Sequence, residues 1–192
     1  MLYELALSTL ENVNSEIASS FRRDFPESNQ LSSVDVEPFV LPIASSVLRV
    51  GNTAPSTASI VQEIQQSYQV QQWRQPYQVD DFGTDFFNGT AWFPIADVEG
   101  PLLYSGGLME IMLLGPNVAY PSHRHAPEEL YTVLAGHVWW ESEIQHACWK
   151  YAGEVIHHRP NVVHSIKAGD EAVLILNLWR GGSFEMPVIT DG

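Results

Sequence analysis

Two kinds of hydrophobic periodicity divide the chain near residue 90. In the first part, apolar residues recur at three- and four-residue steps, the spacing of amphipathic helices. This spacing predicts three helices, over residues 2–25, 37–50 and 57–73. Pro26 ends the first, and the turn formers of GNTAPST (51–57) precede the third. We therefore expect residues 1–90 to form an N-terminal α-helical segment.

After Pro76 the chain changes to short runs rich in β-branched and aromatic residues, separated by turn formers. The runs are AWFPIADV, LMEIMLL, ELYTVLA, HVWWES, VIHH, VVHSIKA and EAVLILNLW. Several short strands at this spacing are typical of an all-β sandwich or barrel. The pattern predicts a mainly β protein in which residues 91–192 form one jelly-roll-like barrel. We expect the helical segment to pack on that barrel as part of the same structural unit.

Composition and charge exclude several classes of function. Of the 192 residues, 45% are hydrophobic and 17% are charged, which is typical of a folded chain. The net charge of −14 repels phosphate backbones and anionic lipids, so we expect neither a nucleic-acid nor a membrane partner. The same charge mildly favours the approach of a cationic small molecule.

The chain carries no recognisable targeting signal. Its N-terminus lacks the basic region of a secretory signal, and no apolar run is long enough to span a membrane. We therefore expect a cytoplasmic protein. Its one cysteine, Cys148, excludes an internal disulfide and a cysteine-rich zinc motif. We interpret Cys148 as a small buried apolar residue.

Candidate metal ligands concentrate in YPSHRHAPEELYTVLAG, residues 120–136. His123 and His125 lie in a proline-bounded loop, and Glu129 and Tyr131 share one face of the predicted strand that follows. His164 begins a later strand, which can face them across a barrel interior. Imidazole and carboxylate groups suit Fe(II), Mn, Ni, Co or Zn, and such a site keeps a coordination position open for catalysis.

Neighbouring residues have plainer interpretations. Leu130 lies on the opposite face of the predicted strand from Tyr131, so it needs cover, which the N-terminal helices can provide. Glu128 is interpreted as a solvated neighbour. Tyr131 itself is either a site residue or an ordinary strand aromatic. Four histidines show no partner pattern and are interpreted as structural or surface residues: His137, His146, His157 and His158.

The spacing His-x-His-x3-Glu-x6-Gly, from His123 to Gly136, resembles the first signature of the cupins, small β-barrels with a metal inside. Gly153, Pro160 and His164 resemble a shortened second signature. A larger set is similar to the cupin dimethylsulfoniopropionate (DMSP) lyases of marine bacteria, the DddQ type: Tyr120, His123, His125, Glu129, Tyr131, His164 and Trp179. The resemblance implies a cupin barrel and a carbon–sulfur lyase that converts DMSP to dimethyl sulfide and acrylate.

The resemblance also implies residue roles. It gives one divalent transition metal, Zn, Fe(II) or Mn, with four ligands: His125, Glu129, Tyr131 and His164. Our hypothesis is that Tyr131 is the base, with Tyr120 and His123 assisting catalysis and substrate binding. His123 is either a further ligand or a residue that orients the substrate. Trp179 and Tyr120 are candidates to bind the sulfonium through their aromatic faces.

Two other functions remain open at this point. An Fe(II) cupin dioxygenase would use the same histidine and glutamate ligands, although Tyr131 beside Glu129 argues against it. A non-catalytic cupin that binds a small molecule is the other, and the intact ligand set argues against that. Either a monomer or a homodimer is compatible with the sequence.

Overall fold

The computed structural model describes residues 1–190. Over this range the chain forms five α-helices: α1 (Leu2–Asn12), α2 (Glu16–Asp24), α3 (Ala58–Ser67), α4 (Val79–Phe82) and α5 (Thr84–Gly89). Its strands are β1 (Ser32–Ser33), β2 (Thr90–Asp97), β3 (Leu102–Leu103), β4 (Gly107–Leu114), β5 (Ala119–Arg124), β6 (Glu128–Ala135), β7 (His137–Ser142), β8 (Gln145–Tyr151), β9 (Val155–His158), β10 (His164–Ala168), β11 (Val173–Arg180) and β12 (Val188–Ile189).

The prediction of a single helix over residues 2–25 is wrong, because the structure has two helices there, α1 and α2. The side chain of Ser15 accepts a hydrogen bond from the backbone N–H of Ala18 at 3.4 Å and so caps the start of α2. Serine prefers this capping position to a helix interior, where its hydroxyl competes for backbone partners. Both helices still bury their apolar faces, as the periodicity predicts.

The second and third predicted helices are shorter in the structure. Only a 3₁₀ helix, Pro42–Arg49, forms within residues 37–50, because proline is tolerated at the start of a helix and not in its interior. The third helix ends at Ser67 and continues as the 3₁₀ turn Tyr68–Val70.

The strands form two sheets that enclose a barrel. One sheet has the order β1-β3-β2-β4-β11-β6-β9, and the other has the order β12-β5-β10-β7-β8. Each of the seven predicted runs contains a strand, whereas β5, β8 and the two-residue strands β1, β3 and β12 were not predicted. The structure confirms a mainly β protein in which a barrel carries N-terminal helices. The proposed division at residue 90 stays a prediction, and residues 191–192 lie outside the described range.

Two hydrophobic clusters occupy the two faces of the larger sheet. Leu130 has no exposed surface and belongs to the cluster that contains Leu7 and Phe21 of the helices, so the expected cover is present. Tyr131, the next residue, belongs to the cluster inside the barrel. Strand alternation therefore directs β6 residues in turn to the helices and to the interior. Between residues 1 and 190, no helix is long and apolar enough to cross a membrane.

Candidate active site

Three histidines from two neighbouring strands meet inside the barrel. His123 lies on β5, His164 faces it on β10 in the antiparallel register, and His125 follows β5 directly. All three are buried, and ring nitrogens of the three lie within 4.8 Å of one another. The placement of His123 in a loop was wrong, because β5 pairs with β10 and β12 on either side and extends to Arg124.

The tautomer of each histidine is set by a backbone carbonyl. Nδ1 of His123 lies 2.7 Å from the Pro121 oxygen, and Nδ1 of His125 lies 2.9 Å from the Pro127 oxygen. Nδ1 of His164 likewise lies 2.9 Å from the Val162 oxygen. A carbonyl oxygen only accepts, so each Nδ1 carries the hydrogen and each Nε2 is available as a metal ligand.

The Nε2 atom of His164 shows that these residues fit a metal ion. This atom is buried and makes no hydrogen bond among residues 1–190, because the Glu129 oxygen that lies 3.3 Å away is also an acceptor. A buried polar atom without a partner is costly unless a ligand satisfies it. A divalent cation bound by imidazole and carboxylate groups would do so.

Glu129 lies at the centre of the cluster. Its Oε2 lies 3.1 Å from Nε2 of His125 and 3.3 Å from Nε2 of His164. Its Oε1 accepts a hydrogen bond from the indole N–H of Trp179. Burial favours the neutral acid, but the surrounding histidines outweigh burial and hold the pKa of Glu129 well below its usual range. The carboxylate is therefore charged, as a metal ligand must be.

His158 belongs to the same cluster, although no partner for it was visible in the sequence. It lies on β9 opposite Glu129, and its Nδ1 lies 2.6 Å from Oε2 of that residue. Its ring stacks on His164 with the ring centres 3.6 Å apart. Burial, together with the neighbouring His164, lowers the pKa of His158 to about 3, so this ring is neutral.

The other three histidines of that group lie outside the cluster. His157 is partly exposed and contacts Glu128 at 2.6 Å, and His146 is exposed. His137 is also partly exposed and lies near Asp170. Strand alternation provides a signal that distinguishes them: of the two adjacent histidines in VIHH, only one can face the interior.

Tyr131 and Tyr120 flank the histidines on the inside of the barrel. Tyr131 is buried two residues beyond Glu129, and its ring meets that of His158 edge-on. Tyr120 stacks on His123 with the ring centres 3.9 Å apart, and its hydroxyl contacts the hydroxyl of Tyr77. Burial raises the pKa of both Tyr120 and Tyr131 well above the usual value. Without a cation beside it, neither would be a phenolate at neutral pH.

One cavity of about 360 Å³ reaches these groups. Tyr120, Glu129, Tyr131 and Trp179 all line it, so four of the seven predicted site residues border a single space. Trp179 also lies against His125 with the ring centres 4.6 Å apart. Sequence reasoning missed several further lining residues, among them Tyr77, Trp92 and Glu110. A signal existed only for Glu110, a lone carboxylate within the apolar run LMEIMLL.

Residues 26–175 match the family model of dimethylsulfoniopropionate (DMSP) lyases. The chain belongs to the DMSP lyase family. A curated relative, the DMSP lyase DddQ of Ruegeria pomeroyi, is 29% identical over 121 residues. That alignment covers 63% of this chain and 60% of the relative, so the chain matches about three fifths of the relative's length.

Two solved structures are similar to this chain over nearly its whole length. The crystal structure of the DMSP lyase DddQ from Ruegeria pomeroyi DSS-3 matches with a TM-score of 0.79 and 25% identity, covering 96% of this chain and 98% of that one. A structure described with the DMSP lyases RdDddP and RnDddQII matches with a TM-score of 0.90 and 24% identity. It covers 99% of this chain and 96% of the other and shows the shared fold.

Proposed function

We propose that this chain is a metal-dependent DMSP lyase that cleaves DMSP to dimethyl sulfide and acrylate. The observation that carries the proposal is the buried histidine and glutamate group, of which Glu129 lines the same cavity as Tyr131 in a chain of this family. A curated relative bears the same activity in its name. The intact ligand group favours an enzyme over a non-catalytic binding protein.

We assign His125, Glu129 and His164 as metal ligands, and we place His123 and Tyr131 at the same centre. The three Nε2 atoms and the Glu129 carboxylate are the donors that Zn, Fe(II) and Mn accept. A divalent metal held there supplies Lewis-acid stabilisation of negative charge on the substrate carboxylate. It would also favour the phenolate of Tyr131, opposing the effect of burial.

In the proposed reaction, the Tyr131 oxygen removes a proton from the carbon next to the substrate carboxylate. The electron pair of that C–H bond forms the carbon–carbon double bond of acrylate. The bond from the next carbon to sulfur breaks, and its electron pair leaves with dimethyl sulfide. Tyr131 holds the proton and later returns it to water. A base must lie within hydrogen-bond reach of the proton that it removes, which requires the substrate to bind against Tyr131.

Tyr120, His123 and Trp179 position the substrate in this proposal. The rings of Tyr120 and Trp179 line the cavity and can face the sulfonium. Each such cation–π contact contributes ~0.5–2 kcal/mol. His123 lies between Tyr120 and His164, and in this proposal it either orients the substrate or would serve as a further metal ligand.

The deciding experiment measures dimethyl sulfide in the headspace above the purified protein and DMSP. The protein is assayed after chelation and again after Fe(II), Mn and Zn are restored separately. We expect dimethyl sulfide to appear only with metal and to be lost in the His164→Ala variant. If the folded, metal-loaded protein releases none, the lyase proposal is wrong. Oxygen uptake then tests for a dioxygenase.

A further inference from the structure

A second carboxylate lies in the cavity beside the proposed reaction centre. Asn177 of β11 is the register partner of Glu110 on β4 and of Tyr131 on β6. Glu110, Asn177 and Tyr131 therefore form a row across three adjacent strands, and all three line the cavity. Neighbouring strands lie about 4.8 Å apart, so the backbones of Glu110 and Tyr131 are roughly 10 Å apart.

Glu110 has a single polar partner among the described residues. The side-chain amide of Asn177 donates to its Oε1 at 2.9 Å. The nearby guanidinium of Arg74 pairs instead with Asp97, at 3.2 Å. The amide oxygen of Asn177 is itself buried without a hydrogen-bond partner in residues 1–190. An ionised carboxylate in this cavity with no counter-charge is costly, so Glu110 is favoured as a carboxylate only when a cationic ligand lies beside it.

The charge of the cavity wall agrees with a cationic ligand. Five carboxylates line the cavity, against one guanidinium: Asp97, Glu99, Glu110, Glu129 and Glu185, with Arg74. Glu129 is committed to the proposed metal centre and Asp97 to Arg74. Of the other three, Glu99 and Glu185 are exposed, and Glu110 is the half-buried carboxylate that remains. Aromatic rings of Tyr77 and Trp92 line the same cavity and can cover the methyl groups of an onium ion.

We propose that Glu110, held in place by Asn177, binds the cationic end of the substrate and selects onium compounds over neutral ones. The inference deepens the proposed function and rests on it. The substrate carboxylate is held at the metal beside Tyr131, and the sulfonium, two methylenes away, then points along the row toward Glu110. Selectivity comes from Glu110 because its carboxylate can pair with a cationic group, whereas an uncharged group at the same position forms no ion pair with it.

The test compares two unreactive ligands that differ only in charge. One is 3-(trimethylammonio)propanoate, whose amine is a poor leaving group. The other is its carbon isostere, 4,4-dimethylpentanoate, in which the trimethylammonium group is replaced by an uncharged tert-butyl group; it is called the neutral ligand below. Both carry the carboxylate, so the ratio of their dissociation constants isolates recognition of the cation. Titration calorimetry on the metal-loaded protein gives this ratio for the wild type and for Glu110→Gln.

We expect the wild type to bind the cationic ligand about tenfold or more tightly than the neutral one, a difference of about 1.4 kcal/mol. In Glu110→Gln this preference should disappear, while the dissociation constant of the neutral ligand changes less than about threefold. Glu110→Leu should also lose the preference for the cationic ligand. Agreement between the two variants would show that the loss does not come from a folding defect in one of them. Glu37→Gln removes an equal charge from an exposed site and should keep the wild-type ratio.

Two results would overturn the inference: a wild type without preference for the cation, or an unchanged preference in both Glu110 variants. The lyase proposal can fail separately, because these ligands report binding without turnover. A wild type that prefers the cation through Glu110 but releases no dimethyl sulfide would keep this site and reject the reaction. With DMSP itself, we expect Glu110→Gln to raise KM by about tenfold or more and to change kcat less.

Discussion

The indole N–H of Trp140 donates a hydrogen bond to Nε2 of His158 across 2.8 Å. An indole nitrogen only donates, so Nε2 of His158 accepts and the hydrogen of this ring lies on Nδ1. That hydrogen is directed at Oε2 of Glu129, 2.6 Å away. Trp140 and His158 therefore fix the position of the Glu129 carboxylate, and both nitrogens of His158 already take part in hydrogen bonds. His158 is a positioning residue of the proposed metal centre.

The His158→Ala variant should bind its metal about 10–100-fold more weakly, the usual effect of removing a residue that orients a ligand. Trp140→Phe should weaken binding in the same direction, because His158 then loses the partner that fixes its tautomer. Competition with a chromophoric chelator measures the affinity without any need for turnover. His157→Ala changes the adjacent histidine, which contacts Glu128, and serves as the matched control. Equal affinities for His157→Ala and His158→Ala would contradict this role.

The Tyr131→Phe variant should lose about 10²–10⁴-fold in turnover, the usual contribution of a general base. The variant lacks only the hydroxyl that removes the proton, so the barrel core around the ring is kept. Dimethyl sulfide release is measured at saturating DMSP, and metal content is measured on the same samples. The control Tyr151→Phe changes an exposed tyrosine on β8 and should be unaffected. Near-normal turnover by metal-loaded Tyr131→Phe would exclude Tyr131 as the base.

Part of the candidate site follows directly from sequence, because strand alternation acts over short distances. Glu129 and Tyr131 are two residues apart, so any strand directs both to one face. His123, His125 and His164 could be associated with them through a known pattern of spacing. Leu130 lies between them in the sequence, so the same alternation assigns it to the opposite face, which the helices cover.

His158, Glu110 and Tyr77 could not be predicted, because their roles depend on which strands are neighbours. His158 meets Glu129 only because β9 pairs with β6, and Glu110 meets Asn177 only because β4 pairs with β11. Tyr77 precedes the barrel and reaches Tyr120 through the packing of α4 and α5. Periodicity reveals the face that a residue occupies but not its partner across the sheet.

The pH dependence of stability should report the environment of Glu110. Burial, with further repulsion from acidic neighbours, raises the pKa of this carboxyl from 4.5 to about 8. The folded state therefore holds a proton that the unfolded state has released between these pH values. By linkage, the free energy of unfolding should fall as pH rises from 4.5 to 8. The charged and polar groups that act on Glu110 are Asn177, Asp97, Glu129 and Arg74.

The measurement is urea unfolding of the metal-free protein at pH 5 and pH 8, for the wild type and Glu110→Gln. Other titrating groups are common to both proteins, so they cancel in the difference between them. Between pH 5 and pH 8, the free energy of unfolding of Glu110→Gln relative to that of the wild type should rise by about 2–4 kcal/mol. Parallel pH profiles would show that Glu110 is ionised throughout this range in the folded protein.

The Leu130→Ala variant should separate stability from metal binding. Leu130 has no exposed surface and lies against the helices on the outer side of β6, while the proposed ligands lie on the inner side. Truncating such a residue leaves a cavity and should lower the free energy of unfolding by about 2–5 kcal/mol. Leu103→Ala, at a partly exposed leucine on β3, should cost less than about 1 kcal/mol. Metal affinity should change less than about threefold in either variant, because neither side chain contacts the ligands. A large loss of affinity in Leu130→Ala alone would mean that helix packing sets the position of Glu129, one residue earlier on the same strand.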